Sequence, residues 1–330
     1  MIVKWGVIGC GAVADYKGGP ALYNVKGSEL VAVMGRDVNK AKAFAERHGA
    51  KRYYGTVEGL LRDEDVNAVY VATPPSTHCQ YTIQAAEAGK HVLCEKPMAV
   101  NLTECRKMID VCKKHNVKLM VAYYRRGYPN VQKIKQLIEQ GYIGEVVLAR
   151  VSSTGYYNPE NTEDPTNWRT NPQIAGGGVL MDIGCHYIDL LIYLLGEITD
   201  IKALIETIHC RYAVEDSAEL ILKFKRGPHG IANFNWNVGI DTMDFEIYGT
   251  QGKISFNPGG IDRSGDLTLQ TKENGFQVMH LEPLRITHLG IVKDFVGSLA
   301  QNKNSLCPGE EGIKTNEAIE VAYRSSHTAK

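Results

Sequence analysis

Short apolar runs alternate with amphipathic stretches in the first part of this 330-residue chain. The apolar runs cover residues 3–8, 30–34, 68–72, 91–94 and 118–122. The amphipathic stretches between them have a helical pattern and lie at residues 38–48, 77–88 and 102–115. Fully apolar runs are typical of parallel strands buried on both faces, and parallel strands are usually joined by helices. The alternation therefore predicts a doubly wound α/β domain over residues 1–123.

The pattern changes after residue 123, where strand-like segments follow one another without intervening helices. After one helix at residues 129–140, these segments occupy residues 146–153, 201–208, 218–224, 230–236, 243–248, 253–256 and 267–271. Three further helices are predicted at residues 179–195, 286–301 and 310–325. Consecutive strands indicate an open, mostly antiparallel sheet. We therefore predict a second, α+β domain over residues 124–330, with a C-terminal helix that can pack back on the first domain.

Charge and cysteine content argue against several classes of protein. Lys+Arg and Asp+Glu number 37 each, so the chain lacks the charge excess that recruits nucleic acid or a membrane surface. No apolar stretch approaches the ~20 residues that span a bilayer. The eight cysteines form no Cys-x-x-Cys pair, and the first strand begins without a preceding apolar signal region. We expect a cytoplasmic protein with free thiols and no bound metal, nucleic acid or membrane partner.

A Gly-x-Gly-x-x-Ala turn directly follows the first predicted strand. Gly9 permits a tight turn, Gly11 lets the backbone approach a pyrophosphate, and Ala14 allows the helix to pack closely on the strand. The helix that begins at Ala12 and Val13 would direct its N-terminus at the negative charge. A glycine turn without a ligand is the alternative. The position of the turn at the start of a βαβ pattern favours a dinucleotide site.

The end of the second predicted strand bears on the choice between NAD and NADP. An acidic residue there binds the ribose hydroxyls of NAD, whereas an arginine accommodates the 2′-phosphate of NADP. Arg36 comes first and is followed by Asp37, which is well placed to cap the helix that begins at Val38. The sequence therefore favours NADP over NAD, with both residues in the cofactor site.

A triple glycine at residues 176–178 precedes Asp182, His186 and Asp189. Spacings of four and three place these side chains near one face of a helix. A buried histidine paired with a structural carboxylate is the alternative interpretation. A histidine with its ordinary pKa near ~6.5 can also exchange an alcohol proton at neutral pH. Together with the upstream cofactor turn, the pattern favours His186 as a general acid and base.

Lys96 follows the apolar run at residues 91–94 and directly precedes Pro97. Open α/β sheets bind ligands at the carboxyl ends of their strands, and proline restricts the backbone before it. Most lysines are solvated surface residues, which is the alternative here. A lysine at this position can donate to substrate hydroxyls and stabilise a developing alkoxide.

Four motifs in this order give the chain a specific resemblance. They lie at residues 9–11, 72–75 with His78, 88–97 and 176–186. Over essentially its whole length the chain resembles the Gfo/Idh/MocA oxidoreductases, the family of glucose–fructose oxidoreductase and inositol dehydrogenase. The resemblance implies an N-terminal Rossmann domain and a C-terminal domain with an open, mostly antiparallel sheet. It also implies hydride transfer between NAD(P) and a secondary alcohol or ketone of a sugar, polyol or related carbohydrate.

The resemblance assigns roles to individual residues. Lys96 would contact substrate and the nicotinamide ribose, Asp182 would bind substrate, and His186 would transfer the proton. The residues implied to line the cofactor groove are Thr73, Pro74, His78 and Glu95. Members of the family commonly pair through the faces of their C-terminal sheets, which implies a homodimer or homotetramer.

Two further pairs of residues are candidates for substrate binding. Trp168 and Arg169 resemble a Trp-Arg pair that some sugar-reducing members of the family place against substrate. An aromatic face suits the C–H surface of a sugar and arginine offers several donors, while packing under a loop is the alternative. Tyr124 and Arg125 adjoin the predicted domain boundary. Two other functions stay open: a catalytically silent cofactor-binding sensor, and a redox-neutral glycoside-modifying enzyme that retains NAD.

Overall fold

The computed structural model describes residues 2–256 and 266–328, and the chain divides into two compact units. The first unit comprises Met1–Gly127 and Leu284–Ile313, and the second comprises Tyr128–Pro283 and Lys314–Lys330. The segment Leu284–Ile313 thus belongs to the first unit, although it follows most of the second unit along the chain.

The first unit contains a six-stranded, all-parallel sheet in the order β3-β2-β1-β4-β5-β6. Its strands are β1 Val3–Ile8, β2 Ser28–Met34, β3 Arg52–Tyr54, β4 Ala68–Val71, β5 His91–Cys94 and β6 Leu119–Val121. Its α-helices are α1 Gly19–Asn24, α2 Val38–His48, α3 Val57–Leu61, α4 His78–Glu87, α5 Leu102–Lys114 and α9 Leu289–Ala300. A π-helical turn, Ala14–Gly18, precedes α1, and 3-10 turns occupy Pro75–Thr77 and Tyr124–Gly127.

This sheet confirms the predicted doubly wound fold. All residues of β4 are buried, as expected for a strand covered on both faces. All five predicted strands are present, with ends that differ from the prediction by at most two residues. The edge strand β3 was missed because its three residues are only partly buried and form no apolar run. The α2 helix ends at Gly49, which adopts the left-handed conformation with φ +75°.

The second unit contains an eight-stranded sheet in the order β14-β13-β12-β11-β7-β10-β9-β8. Its strands are β7 Val146–Tyr156, β8 Ile198–Glu206, β9 Ser217–Phe224, β10 His229–Asn235, β11 Asn237–Gly249, β12 Gly252–Phe256, β13 Asp266–Thr271 and β14 Gly275–His280. The neighbours β7 and β10 are parallel, and every other pair is antiparallel. The sheet confirms the predicted mostly antiparallel domain, but the exposed edge strand β14 was not predicted.

Helices of the remaining chain are α6 Pro129–Glu139, α7 Pro172–Ala175, α8 Cys185–Leu195 and α10 Gly309–Thr328. A 3-10 segment, Pro165–Thr170, precedes α7, and a π-helical turn, Leu180–Gly184, leads into α8. The helix predicted at residues 179–195 is therefore correct in extent but begins with a wider turn.

The stretch Pro172–Leu195 is apolar enough, by length and composition, for a membrane span, with a mean hydropathy of 1.5. The sequence prediction had found no apolar stretch of this length. However, 83% of its most apolar part is buried within the protein. Such burial is typical of the core helix of a globular domain.

Candidate active site

The turn after β1 has the conformation that a dinucleotide-binding turn requires. Gly9 has φ +101°, and a Cβ atom there would lie 2.6 Å from the carbonyl oxygen of Ala72 and 2.8 Å from Cγ2 of Thr73. Only glycine fits this position. Gly11 is exposed, and a Cβ atom on it would meet nothing within 4 Å. The backbone at Gly11 is thus open to a ligand.

The residues after this turn fit a bound pyrophosphate. The amide of Asp15 donates to the carbonyl oxygen of Gly11 at 2.9 Å, so helical bonding starts at this point. The amides of the first turn of a helix have no intrahelical acceptor and attract an anion. Ala12 is exposed and Val13 is half-buried, whereas Ala14 is fully buried. The turn therefore combines close packing on one side with accessible backbone on the other.

Asp37 caps α2, as predicted. One oxygen of its carboxylate accepts from the amides of Asn39 at 2.9 Å and Lys40 at 3.2 Å. Arg36, the neighbouring residue, is exposed at the end of β2. Asp37 therefore has a structural role as the cap of α2, and the cationic side chain of Arg36 lies exposed beside it.

A buried carboxylate lies directly before Lys96 at the carboxyl end of β5. Glu95 accepts from the hydroxyl of Tyr70 at 2.5 Å and lies 2.7 Å from Nε2 of His288. The amide of Lys96 donates to the other oxygen of Glu95 at 3.2 Å. Burial by itself would raise the pKa of Glu95, but His288, Tyr70 and the charge of Lys96 outweigh it and hold that pKa at about 2. Because an ionised carboxylate only accepts, Nε2 of His288 is the donor.

Tyr124 belongs to the same buried cluster. Its ring stacks on His288 with 4.6 Å between the ring centroids, and the ammonium of Lys17 lies 6.0 Å from the centroid of Tyr124. Arg125, the next residue of the same 3-10 turn, is also buried. Tyr124 is thus linked through His288 to the carboxylate that precedes Lys96.

The loop after β4 carries Thr73 and Pro74, both half-buried. His78 is fully buried, and its two ring nitrogens lie 2.8 Å from the carbonyl oxygen of Thr73 and 3.0 Å from that of Pro97. Burial lowers the pKa of His78. The ring therefore links the loop after β4 to the residue that follows Lys96. The first unit brings the turns after β1, β4 and β5 together at one sheet edge.

In the second unit, Asp182 lies in the π-helical turn and His186 in the first turn of α8. Nε of Arg169 donates to a carboxylate oxygen of Asp182 at 3.1 Å. The guanidinium carbon of Arg169 lies 4.4 Å from the ring centroid of Trp168. Asp182 is half-buried and His186 is buried. The structure therefore joins three predicted substrate residues in one network at the start of the helix that carries His186.

Aromatic side chains that were not predicted lie near this network. The rings of Tyr157 and Trp236 are 5.0 Å apart, and the hydroxyl of Tyr212 donates to the carbonyl oxygen of Tyr157 at 2.9 Å. Burial raises the pKa of Tyr157, and the charges of Arg169 and Asp182 act on it in opposite directions. Tyr157 is thus electrostatically coupled to the ion pair.

Several residues of the two sites have no signal in the sequence. Tyr70 lies within an apolar strand and nothing in the sequence distinguishes it from its neighbours. His288 contacts Glu95 but is separated from it by 193 residues in the sequence. Glu215 and Tyr323, which contact the triple-glycine turn, likewise stand in no recognisable motif. Covariation between distant positions is the kind of signal that could have found them.

The comparison with known families decides the classification. Residues 3–123 match the oxidoreductase family with an NAD-binding Rossmann fold, and residues 131–255 match the GFO/IDH/MocA C-terminal domain. The chain belongs to the GFO/IDH/MocA family. This confirms the resemblance inferred from the motifs, and the protein is an oxidoreductase with an NAD-binding Rossmann domain.

Individual relatives within the GFO/IDH/MocA family agree with this classification. The chain is 35% identical to oxidoreductase P35 of Formosa agariphila, covering 97% of this chain and 98% of that protein. It is 30% identical to 1,5-anhydro-D-fructose reductase of Ensifer adhaerens, covering 94% and 92%. Levoglucosan dehydrogenase in complex with NADH and levoglucosan has a similar structure, with a TM-score of 0.89 and 25% identity over 99% of this chain and 98% of that one.

Proposed function

We propose that this protein transfers hydride reversibly between NAD(P) and a secondary alcohol or ketone of a sugar, polyol or related carbohydrate. The first unit is the cofactor domain, and the second is the substrate-binding and oligomerisation domain. The observation that carries this proposal is the network of Trp168, Arg169 and Asp182. An aromatic face, a charged donor and a charged acceptor are complementary to a polyhydroxylated ring. The similar levoglucosan dehydrogenase holds a sugar together with NADH.

The residues of each unit have distinct roles in the reaction. When bound, the nicotinamide accepts or donates the hydride. In the oxidative direction His186 takes the proton of the reacting hydroxyl, and in the reductive direction it returns that proton. Asp182 accepts from substrate hydroxyls and is itself oriented by Arg169. The ammonium of Lys96 donates to the reacting oxygen and stabilises negative charge that develops on it.

The cofactor residues support the same proposal. Gly11, Ala12 and Val13 would bind the pyrophosphate at the start of the first helix. Thr73 and Pro74 would line the groove directly. The buried side chains of His78 and Glu95 would act through the loops that they hold.

We further propose that the protein prefers NADP to NAD. Asp37 caps α2, whereas the exposed Arg36 can pair with a 2′-phosphate. At about 100 times its dissociation constant a ligand adds about 2.7 kcal/mol of stability. Thermal melting with NAD(H) and NADP(H) in parallel should therefore show the larger stabilisation with NADP(H). The substitution Arg36→Ala should remove this difference and leave stabilisation by NAD(H) unchanged. Stronger stabilisation of the wild-type protein by NAD(H) would contradict the preference.

The second unit exposes apolar side chains on one face of its sheet. Leu204, Ile221 and Ile231 are 62%, 60% and 44% exposed, respectively. Ile221 of β9 is directly opposite Ile231 of β10, and the outer neighbours of this pair are Lys202 of β8 and Arg150 of β7. Exposed apolar surface rimmed by charged residues is typical of an interface.

We propose that a second copy of this chain covers this face. Glu219 is opposite Leu204 and Glu246 is opposite Arg150, so the rim carries both signs of charge. Such a surface can pair with itself about a twofold axis. The formal net charge of the whole chain is +0, so two copies do not repel each other at long range.

Sedimentation velocity tests this interface. The wild-type protein should be a dimer or tetramer, and Ile221→Asp should shift it towards monomer because it replaces an apolar contact with a carboxylate that is costly to desolvate. Ile208→Asp is the matched control, because Ile208 is 67% exposed and lies outside the strands. A monomeric wild-type protein, or dissociation by both variants alike, would rule out this interface.

A further inference from the structure

Glu215 is a buried carboxylate to which the proposed reaction assigns no role. It lies just before β9 and is 9% exposed. Its two carboxylate oxygens accept from the amides of Gly178 at 2.8 Å and Leu180 at 3.1 Å. Its backbone carbonyl accepts from the amide of Val179 at 3.1 Å. One residue therefore binds three consecutive peptide N–H groups.

These three amides stand at the start of the helical segment that carries Asp182 and His186. The π-helical turn Leu180–Gly184 follows at once and continues into α8. The first amides of a helix have no acceptor within the helix, and a carboxylate there also interacts favourably with the helix dipole. Glu215 thus caps this segment from a distance of more than 30 residues along the chain.

Tyr323 of α10 completes the arrangement. Its hydroxyl donates to the carboxylate oxygen of Glu215 that also accepts from Leu180, at 2.7 Å. A Cβ atom on Gly177 would collide with the hydroxyl of Tyr323, and one on Gly178 would collide with the backbone oxygen of Glu215. The glycines at these positions therefore permit close contact with Glu215 and Tyr323. This explains Gly177 and Gly178 of the motif by packing within the second unit.

We infer that Glu215 and Tyr323 are positioning residues for catalysis: they fix the triple-glycine turn and, through it, Asp182 and His186. The inference rests on the proposed function, in which Asp182 and His186 act on the substrate. A displacement of about 1 Å at a reacting group can reduce the rate by about 100-fold. The loss of this cap should therefore affect turnover far more than cofactor binding.

The adjacent residue provides a matched comparison. Asp216 accepts from the amides of Ile208, His209 and Cys210 at 2.8, 2.9 and 2.7 Å. It therefore makes the same kind of contact with a different loop. On α10, Ser326 contributes a buried hydroxyl that accepts from the amide of Ile205 at 2.9 Å, three residues after Tyr323.

The test compares Glu215→Gln and Tyr323→Phe with the controls Asp216→Asn and Ser326→Ala. Three quantities are measured on the full chain: kcat, the dissociation constant of the dinucleotide, and hydrogen exchange of the amides at residues 178–180. In Glu215→Gln an NH₂ group, which cannot accept, replaces one of the two carboxylate oxygens. One of the backbone amides at residues 178 and 180 then loses its acceptor, so hydrogen exchange there should become faster. We expect kcat to fall by about 100-fold in Glu215→Gln and by about 10-fold in Tyr323→Phe, with unchanged dinucleotide binding.

The outcomes separate this inference from the proposed function. Unchanged exchange at residues 178–180 in Glu215→Gln would refute the cap. Faster exchange with unchanged kcat would refute the positioning role, as would an equal fall of kcat in the two controls. A wild-type protein that binds dinucleotide but turns over no carbohydrate would refute the proposed function, and the catalytic part of this inference with it.

Discussion

The substitution His186→Asn is expected to lower kcat by about 10²–10⁴-fold, the usual contribution of a general acid or base. Asparagine is close in size to histidine, but it cannot take up the proton of the reacting hydroxyl. The dissociation constant of the dinucleotide should stay within about twofold, since the proposed cofactor residues all lie in the first unit. Steady-state kinetics and fluorescence titration with the reduced dinucleotide measure the two quantities.

Tyr193→Phe is the matched control for this prediction. Tyr193 lies on the same helix, α8, and its hydroxyl accepts from Nε2 of Gln132 at 2.9 Å. Its loss changes a polar contact of this helix without altering the residues assigned to the reaction. If His186→Asn and Tyr193→Phe gave the same kcat, His186 would not be the proton-transfer residue.

The substitution His288→Leu is expected to destabilise the protein by about 3 kcal/mol or more at neutral pH. Loss of the imidazole leaves the buried carboxylate of Glu95 without one of its donors, and an unsatisfied buried group costs about 1–3 kcal/mol, more when it is charged. Glu95 and His288 are both buried, and their contact is 2.7 Å long. His288→Gln should cost less, because its amide nitrogen can still donate to Glu95. Urea denaturation followed by circular dichroism measures both variants.

The pH dependence of this effect has a defined sign. The pKa of Glu95 is about 2 in the folded protein, below the ordinary value of about 4.3 in an unfolded chain. The ionised carboxylate therefore contributes stability above pH ~4.3, and this contribution is lost as the pH falls from there towards ~2. The difference in unfolding free energy between wild type and His288→Leu should shrink as the pH falls towards ~2, because protonation of Glu95 removes the charge that His288 compensates. A difference that is constant with pH would show that His288 stabilises the protein by packing alone.

The sequence predicts the elements of this fold best where local signals and burial agree. The bounds of α2 were predicted correctly because Asp37 caps its start and Gly49 ends it. The strand β4 was found because its four residues form an apolar run and are all buried. The strands β3 and β14 lie at sheet edges with little burial, so they carry no such pattern.

The residues of the candidate site likewise differ in whether a local sequence pattern predicts them. Gly9 and Gly11 are recognisable because a phosphate turn imposes its requirements within a few residues. His288, Glu215 and Tyr323 act on residues more than 30 positions away in the chain. Their contacts arise from the packing of whole elements, so no local spacing marks them. The sequence predicts that a C-terminal helix can pack back on the first domain, but no local pattern marks Leu284–Ile313 as the segment of the first unit.

Reduction of bound dinucleotide by a carbohydrate tests the central claim most directly. The wild-type protein is incubated with NAD or NADP and a panel of sugars, polyols and anhydrosugars, and absorbance of the reduced nicotinamide is recorded. We predict that at least one member of the panel reduces the cofactor, and that His186→Asn abolishes most of this rate. Dinucleotide that binds but is reduced by no member of the panel would contradict the proposal and favour a sensor. Product formation without net cofactor consumption would instead indicate a redox-neutral enzyme.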